Sequence, residues 1–518
     1  PYKYKEKLML NFEEYKSKVL GCWMGKNIGG TYGGPMEGTK ERFTGIEFYV
    51  QELNGEPFPN DDLDLQLVWL NAAAKYGRHL TSSILGEYWL SYISPGWDEY
   101  GACMANMKQG MVPPLSGVLN NPHMNSNGAF IRSEIWACLA PGNPSIAVRY
   151  AKMDAEVDHA YEGIYSEIFC AAIQSAAFVE SDKYKLIDIG LSYIPEDCAV
   201  TKAVKCVIDS FESHIKWEDA FIKLANTVPG AFSAGRYKHG EKPDIPLADL
   251  GYSVPQNIGI FILAWLYGED DFGKSLSIAI NCGEDTDCTA ATLGAILGII
   301  HGIDWIPEKW IEPISNKIKT ICIVNHDLSV AIPQTTDELT DRILKAAPSI
   351  LGTENCDFIS GPGYSITTQD DLYCKQYTGN YWVTDDIQPG LEINPYEVKY
   401  DFEMLSVVLD YKGLPVFQQN ETKKFCIKFQ STKGYQQYVN VKIICPENVS
   451  AVGGNQLSCY MYQHFHAMSE AEFEIMIGEI EDSKIEILLE ITIDGRLIKY
   501  YIPIVLIKNN GQRITGYK

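Results

Sequence analysis

Near residue 350 the spacing of the apolar side chains changes period, and no single element type can satisfy both halves. From about Asn11 to Ala347 they recur at helical spacing, as in "YEGIYSEIFCAAIQSAAFVE" (161–180) and "TAATLGAILGIIHG" (289–302), with Gly, Pro and Asn at the joins. Beyond Asp357 the pattern becomes alternation rich in Val, Ile, Tyr and Thr, as in "QYVNVKIIC" (437–445) and "KIEILLEITIDGRLIKYYIPIVLI" (484–507). In the second of these, Asp494-Gly495 is a hairpin turn signal. The chain is therefore predicted to be multidomain, α then β: an all-α domain over 1–352, a linker at 353–365 where "TENCDFISGPGYS" crowds Gly and Pro, and a β-sandwich of unassigned role over 366–518. Neither a repeat nor a low-complexity tract interrupts this plan.

At 518 residues and 46% hydrophobic content the chain can bury a large core, and its length suits two to four domains. A net charge of −24 argues against binding a phosphate backbone, so no nucleic-acid partner is expected, although small anions could bind locally. The 14 cysteines are scattered without a CxxC pair. Several, such as Cys170, Cys206 and Cys445, sit in apolar periodic segments, which predicts a reducing, cytoplasmic setting and reads against zinc. The apolar stretch 258–268 is too short to span a bilayer, so no membrane partner is expected. No signal peptide is visible, and the chain opens on Pro1 rather than Met, which leaves its native N-terminus open.

Two acidic clusters carry the chemistry. In "PNDDLDLQLVWLNAAAKYG" (59–77), Asn60, Asp61, Asp62 and Asp64 stand where a loop enters an apolar-periodic helix. In "NCGEDTDCTAATLG" (281–294), Glu284, Asp285 and Asp287 precede a helix of small residues. One acid at such a junction reads as an N-cap at the positive end of the helix dipole. Two or three adjacent carboxylates repel unless a proton or a cation neutralises them, and hard oxygen ligands select Mg²⁺, Mn²⁺ or Ca²⁺. On that reading the acids hold metal, and the small residues allow close packing beneath it.

"VLGCWMGKNIGGTYGGPMEG" (19–38) resembles the N-terminal signature of the ADP-ribosylglycohydrolases. In the same order follow "NDDLDLQL" for the family's Thr-Asp-Asp motif, "NGAFIRSE" (127–134), "DAEVDHAYEGIY" (154–165) and "INCGEDTDCTAATLGAILGIIHG" (280–302) for its Gly-Asp-Thr-Asp-Thr motif. The resemblance covers about residues 9–350 and implies an orthogonal all-α fold with a metal centre in a cleft, two Mg²⁺ ions with Mn²⁺ as the alternative. It carries the metal ligands onto Asp61, Asp62, Asp285 and Asp287, with Asn60 and Cys288 at the two places where the family has Thr. Glu37 and Asp62 become the candidates for catalytic acid or base, while Asn127, Gly128, Ala129 and His159 line the ADP-ribose cleft.

The implied reaction is hydrolysis at ribose C1 of an ADP-ribosylated protein or small molecule, through a transition state resembling an oxocarbenium ion. Hydrolysis of a different ribofuranoside, or an inactive binding or structural protein, are the alternatives, and a homo-oligomer is an allowed assembly. Three departures surround the centre: Cys288 is a soft thiol, Gly30 stands where many relatives have Asp, and Asp64 and Glu284 are extra acids.

Other features read as structural. Arg132 is expected to brace nearby acids rather than grip phosphate, and the glycines of "GGTYGG" (29–34) to permit a tight turn beside the site. Without the resemblance, His159 reads as a satisfied buried histidine. His464 and His466 share a strand face with no third ligand in sight, and Tyr373, Tyr377, Tyr381 and Trp382 read as core before sugar platform.

Overall fold

The computed structural model describes residues 9–38, 42–228, 253–324, 331–358, 363–374, 393–431, 436–463 and 468–509. His464, His466, Tyr377, Tyr381 and Trp382 lie outside these residues, whereas Tyr373 is described and exposed. Two units divide the chain: residues 1–101 with 122–392, and residues 102–121 with 393–518.

The first unit is helical, and one helix pair organises it. Phe12–Gly33 and Thr286–His301 run antiparallel with glycine facing glycine. A Cβ on Gly21 would lie 2.4 Å from Gly298 O, one on Gly25 2.0 Å from Gly294 O, one on Gly29 2.2 Å from Ala290 O and one on Gly33 2.4 Å from Asp287 N. No side chain fits along this seam, so the two backbones touch and their axial register is set to within one helical turn.

The same contact corrects the expected tight turn at 29–34. Gly29, Gly30 and Gly33 are helical, and Gly34 opens a short 3-10 turn. Glycine is demanded here by the neighbouring helix and not by a backbone angle. Gly30 is the exception on this face: a Cβ there would meet only the Asn60 side chain, 3.1 Å from Nδ2.

Over its described residues the Gly/Pro-rich stretch 353–365 takes part in pairing. Cys356–Asp357 and Ser365–Thr367 form a small antiparallel sheet with Met9–Leu10, in which Leu10 and Cys356 both pair with Ile366 and all three are buried. Among the described residues no helix is long and apolar enough to cross a membrane.

The second unit is a β-sandwich. One five-stranded sheet runs Gln456–Met461, Gln437–Ile444, Lys484–Ile493, Lys499–Lys508, Val416–Phe417; the other runs Glu397–Asp401, Leu405–Asp410, Glu421–Ser431, Met468–Ile477, Val449–Val452. The alternation read from sequence is realised directly: Val439, Val441, Ile443, Ile487, Leu489 and Ile491 turn inward to one core. Lys484–Ile493 and Lys499–Lys508 pair antiparallel around Asp494-Gly495, with Gly495 at φ 76°. Met111, Leu115 and Leu119 join the same core, so the segment 102–121, helical in pattern, belongs with the sandwich.

Candidate active site

The N-termini of Asp61–Tyr76 and Thr286–His301 converge on a cavity of about 510 Å³ within the helical unit. In the first cluster Asn60 is the cap: its Oδ1 accepts the Asp62 N–H at 2.7 Å. Asp61 and Asp62 are thereby released from capping. At the second helix Asp285 occupies the cap position but makes no capping bond.

The carboxylates instead face one another across the two helix ends. Asn60 Nδ2 donates to Asp287 Oδ2 at 2.8 Å, Asn127 Nδ2 to Asp285 Oδ2 at 2.7 Å, Tyr100 OH to Asp61 Oδ2 at 2.9 Å, and the Cys288 thiol to Asp62 Oδ1 at 3.3 Å. That leaves Asp62 Oδ2, Asp285 Oδ1, Asp287 Oδ1 and Asn127 Oδ1 buried with no hydrogen-bond partner among the described residues. Orphaned carboxylate oxygens at this density are costly unless a cation takes them. Glu37, Asp285 and Asp287 offer three oxygens within 4.8 Å of one another, and Asp62, Asp287 and Cys288 offer two oxygens and a sulfur at the same spacing. Hard oxygen donors of this kind fit Mg²⁺ or Mn²⁺.

Electrostatics reports the same crowding. The Asp287 charge, then burial, pushes Glu37 up to about 9, and burial, then Asp287, pushes Asp61 up to about 6. Burial drives Asp62 and Asp285 well above the usual carboxylate range. Groups whose folded pKa is raised add stability below their unfolded pKa, and that stability is lost as pH rises through the folded value. The melting temperature of chelated protein is therefore expected to fall between about pH 4 and pH 9. Added Mg²⁺ should raise it more at pH 8 than at pH 5, as read by circular dichroism.

One cation is built in. Lys26, 1% exposed, lies 3.2 Å from Glu134 Oε1 and 3.4 Å from Asp62 Oδ2 and donates to the Ile131 carbonyl. Burial opposes its charge, but Glu134 and Asp62 outweigh burial and raise its pKa. Sequence reasoning missed Lys26, although a lysine amid the glycines and apolar residues of a buried helix was the available signal.

Of the residues expected in the site, Glu37, Asn60, Asp61, Asn127, Gly128, Asp285, Asp287 and Cys288 line the cavity. Asp62 is buried and bonded to Cys288. Ala129 and His159 are fully buried and do not line the cavity. His159 Nδ1 lies 2.9 Å from Asp158 Oδ1, and its Nε2 lies 3.4 Å from Ser126 Oγ, which does line it. Phe58, Trp97, Asp98, Glu99 and Tyr100 also line it and carried no sequence signal.

Two residues have structural duties. Arg132 braces acids, as expected, reaching Asp154 Oδ1 at 2.9 Å and Asp158 Oδ1 at 2.6 Å. Asp64 accepts the Ile321 and Cys322 N–H groups at 2.6 and 2.7 Å and so tethers that segment to the acidic helix.

The profile of the family described as ADP-ribosylglycohydrolase matches residues 12–348, which contain every one of these side chains. The chain belongs to the ADP-ribosylglycohydrolase family. Two ADP-ribosylarginine hydrolases named Tri1 are similar: that of Serratia proteamaculans (strain 568), 30% identical over 82 residues, and that of Pseudomonas putida (strain GB-1), 28% identical over 87 residues. These alignments cover 16% and 17% of this chain, and the chain spans only 21% and 22% of the two relatives' length. A solved structure described as an ADP-ribosylglycohydrolase-related protein complex is similar at 17% identity and a TM-score of 0.41, covering 65% of this chain and 98% of that one. ADP-ribosylglycohydrolases are hydrolases of glycosidic bonds.

Proposed function

We propose that the chain is a divalent-cation-dependent glycosidase that hydrolyses an N- or O-glycosidic bond at C1 of a ribofuranosyl group. The observation that carries this reading is the convergence of Asp61, Asp285 and Asp287 at one cavity, where Asp285 Oδ1 and Asp287 Oδ1 are buried with no hydrogen-bond partner among the described residues. Asp61, Asp62, Asp285 and Asp287, with Glu37 at the wall, would hold the cation, Mg²⁺ or Mn²⁺; Asn60 and Cys288 support these carboxylates through their own donors. A bound cation supplies charge neutralisation and a grip on vicinal ribose hydroxyls.

The chain's own groups do the rest. The carboxylates surround the carbon where positive charge develops as the C1 bond breaks. Glu37 lines the cavity and is the group placed to exchange a proton with water or the leaving atom, whereas Asp62, held between Lys26 and Cys288, positions the cluster from behind. An inactive binding protein would have little reason to keep carboxylates that repel one another.

Two substrate classes fit this chemistry. An ADP-ribosylated protein or small molecule follows the two relatives named as ADP-ribosylarginine hydrolases; another ribofuranoside would use the same chemistry at C1. Calorimetric titration of Mg²⁺ into chelated protein tests the shared core of the reading. Binding with a matching rise in melting temperature is the expected result, and absence of any Mg²⁺ or Mn²⁺ binding would overturn it.

A further inference from the structure

Three oxygens surround the Lys26 ammonium, and each ties it to a different neighbour of the cation site. Its Nζ donates to the Ile131 carbonyl and to Glu134 Oε1 at 3.2 Å, and lies 3.4 Å from Asp62 Oδ2. Ile131 lines the cavity, and Asp62 stands in the first turn of the acidic helix Asp61–Tyr76. Lys26, Asp62 and Glu134 are all buried, so water does little to screen their charges.

Glu134 is held in its turn by amides from two helices. Gln66 Nε2 donates to its Oε2 at 2.9 Å, and Gln174 Nε2 to its Oε1 at 3.1 Å. Gln66 also donates to the Asp62 carbonyl at 2.8 Å and accepts the Ile135 N–H at 2.7 Å, which locks its amide in place. Beside the lysine, Gly25 packs against Gly294 with no room for a side chain, so the helix that carries the ammonium cannot slide.

A buried ion pair gives the fold little by itself, because desolvating its members costs about as much as their attraction offsets. What the ammonium does supply is a fixed positive charge against Asp62, whose other oxygen accepts the Cys288 thiol at 3.3 Å. A divalent cation and the ammonium therefore draw on one carboxylate from two sides. Like charges a few ångströms apart in a buried site interact strongly enough to change binding by about tenfold or more.

We propose that Lys26 is a positioning residue of the cation site: held by Glu134, its ammonium keeps Asp62 back from the cation and thereby limits how tightly the cation is bound. The inference rests on the cation reading above and adds to it a residue behind the cavity wall. Asp62, so restrained, leaves more of the cation's charge for the sugar hydroxyls.

The test is titration of the full chain with Mn²⁺ at pH 8, read by the loss of the free ion's electron paramagnetic resonance signal, with melting curves to report the folding of each variant. Lys26→Met is expected to bind Mn²⁺ at least about tenfold more tightly than the parent. Glu134→Gln is expected to bind it at least about threefold more weakly, because the ammonium then leans on Asp62 alone. A salt bridge with a structural role only would weaken binding in both variants, since either loss would loosen the cluster. Combining Lys26→Met with Glu134→Gln leaves neither member of the pair buried alone and answers the same question should Lys26→Met not fold; its affinity is also expected to exceed the parent's. Unchanged or weaker binding in whichever lysine variant folds, or binding by Glu134→Gln as tight as the parent's, would overturn the assignment of Lys26 and leave the cation reading in place. A parent chain that binds neither Mn²⁺ nor Mg²⁺ would bring down that reading beneath it.

Discussion

Asp285→Ala is expected to abolish the Mg²⁺-induced rise in melting temperature while leaving the chelated protein at least as stable as the parent. The carboxylate sits among Asp287 and Glu37 with one oxygen orphaned, and burial already holds it far above the usual carboxylate range. Removing it relieves repulsion in the empty cluster, and the change leaves Asn127 Nδ2 as the donor that loses its partner. In the parent, a cation at 100 times its Kd would add about 2.7 kcal/mol of stability, all of which depends on these oxygens. Activity on a ribofuranoside is expected to fall by at least about 10²–10³-fold, the scale on which one positioned charge acts. Two measurements check this, thermal melts with and without Mg²⁺ and a single-substrate rate. A variant that retains the full Mg²⁺ shift would show that Asp285 is a helix-end residue with no part in cation binding.

Gly25→Ala is expected to cost about 3 kcal/mol or more, the upper end of overpacking effects, because the added methyl would sit 2.0 Å from a backbone oxygen that cannot turn aside. The only relief is separation of Phe12–Gly33 from Thr286–His301. That movement would also pull Lys26 and Asp287, carried on opposite helices, out of their places at the cluster. Stability and Mg²⁺ response should therefore fall together, measured by urea unfolding and by the melting shift. Gly30→Ala is the comparison, since its methyl meets only the Asn60 amide at 3.1 Å. It should perturb the Asn60–Asp287 contact while sparing the helix seam. If Gly25→Ala unfolds at the parent's urea concentration, the close approach of the two helices is not what sets the register of the site.

The departures from the family pattern find a local explanation in this pairing. The resemblance sets Gly30 against an Asp of the family signature and Asn60 against a Thr. A side chain at position 30 would start against Asn60 Nδ2, so the glycine leaves room for the asparagine amide. Cys288 remains a thiol donating to Asp62, its ionisation opposed by burial and by the acids around it. Its softness as a ligand thus bears little on the all-oxygen group of Glu37, Asp285 and Asp287.

Much of the architecture was legible along the chain because period is a local property. Apolar spacing separated helices from strands at about residue 350, and alternation such as Val439-Asn440-Val441 named the inward face of the sandwich before any neighbour was known. The acidic clusters were legible too, since carboxylates crowded at helix entrances have few uses. Partnerships between distant segments were not. Nothing local tells that 102–121 packs with strands some 300 residues later, or that Met9–Leu10 pairs with Ser365–Thr367.

The sequence by itself determined the α-then-β order and the family, and pointed to the aspartates we propose as cation ligands, because each is written in spacing or in a short contiguous motif. Only the tertiary structure decided which acids face the cavity and which serve elsewhere. Asp64 and Asp61 are three residues apart, yet one ties down the 321–322 segment and the other lines the cavity. Glu99, from a helix without any motif, and Lys26, whose motif gave no sign of its partners, entered through packing. The role of a charge depends on what surrounds it at 3–4 Å, and in a buried cluster those neighbours come from parts of the chain that local patterning cannot bring together.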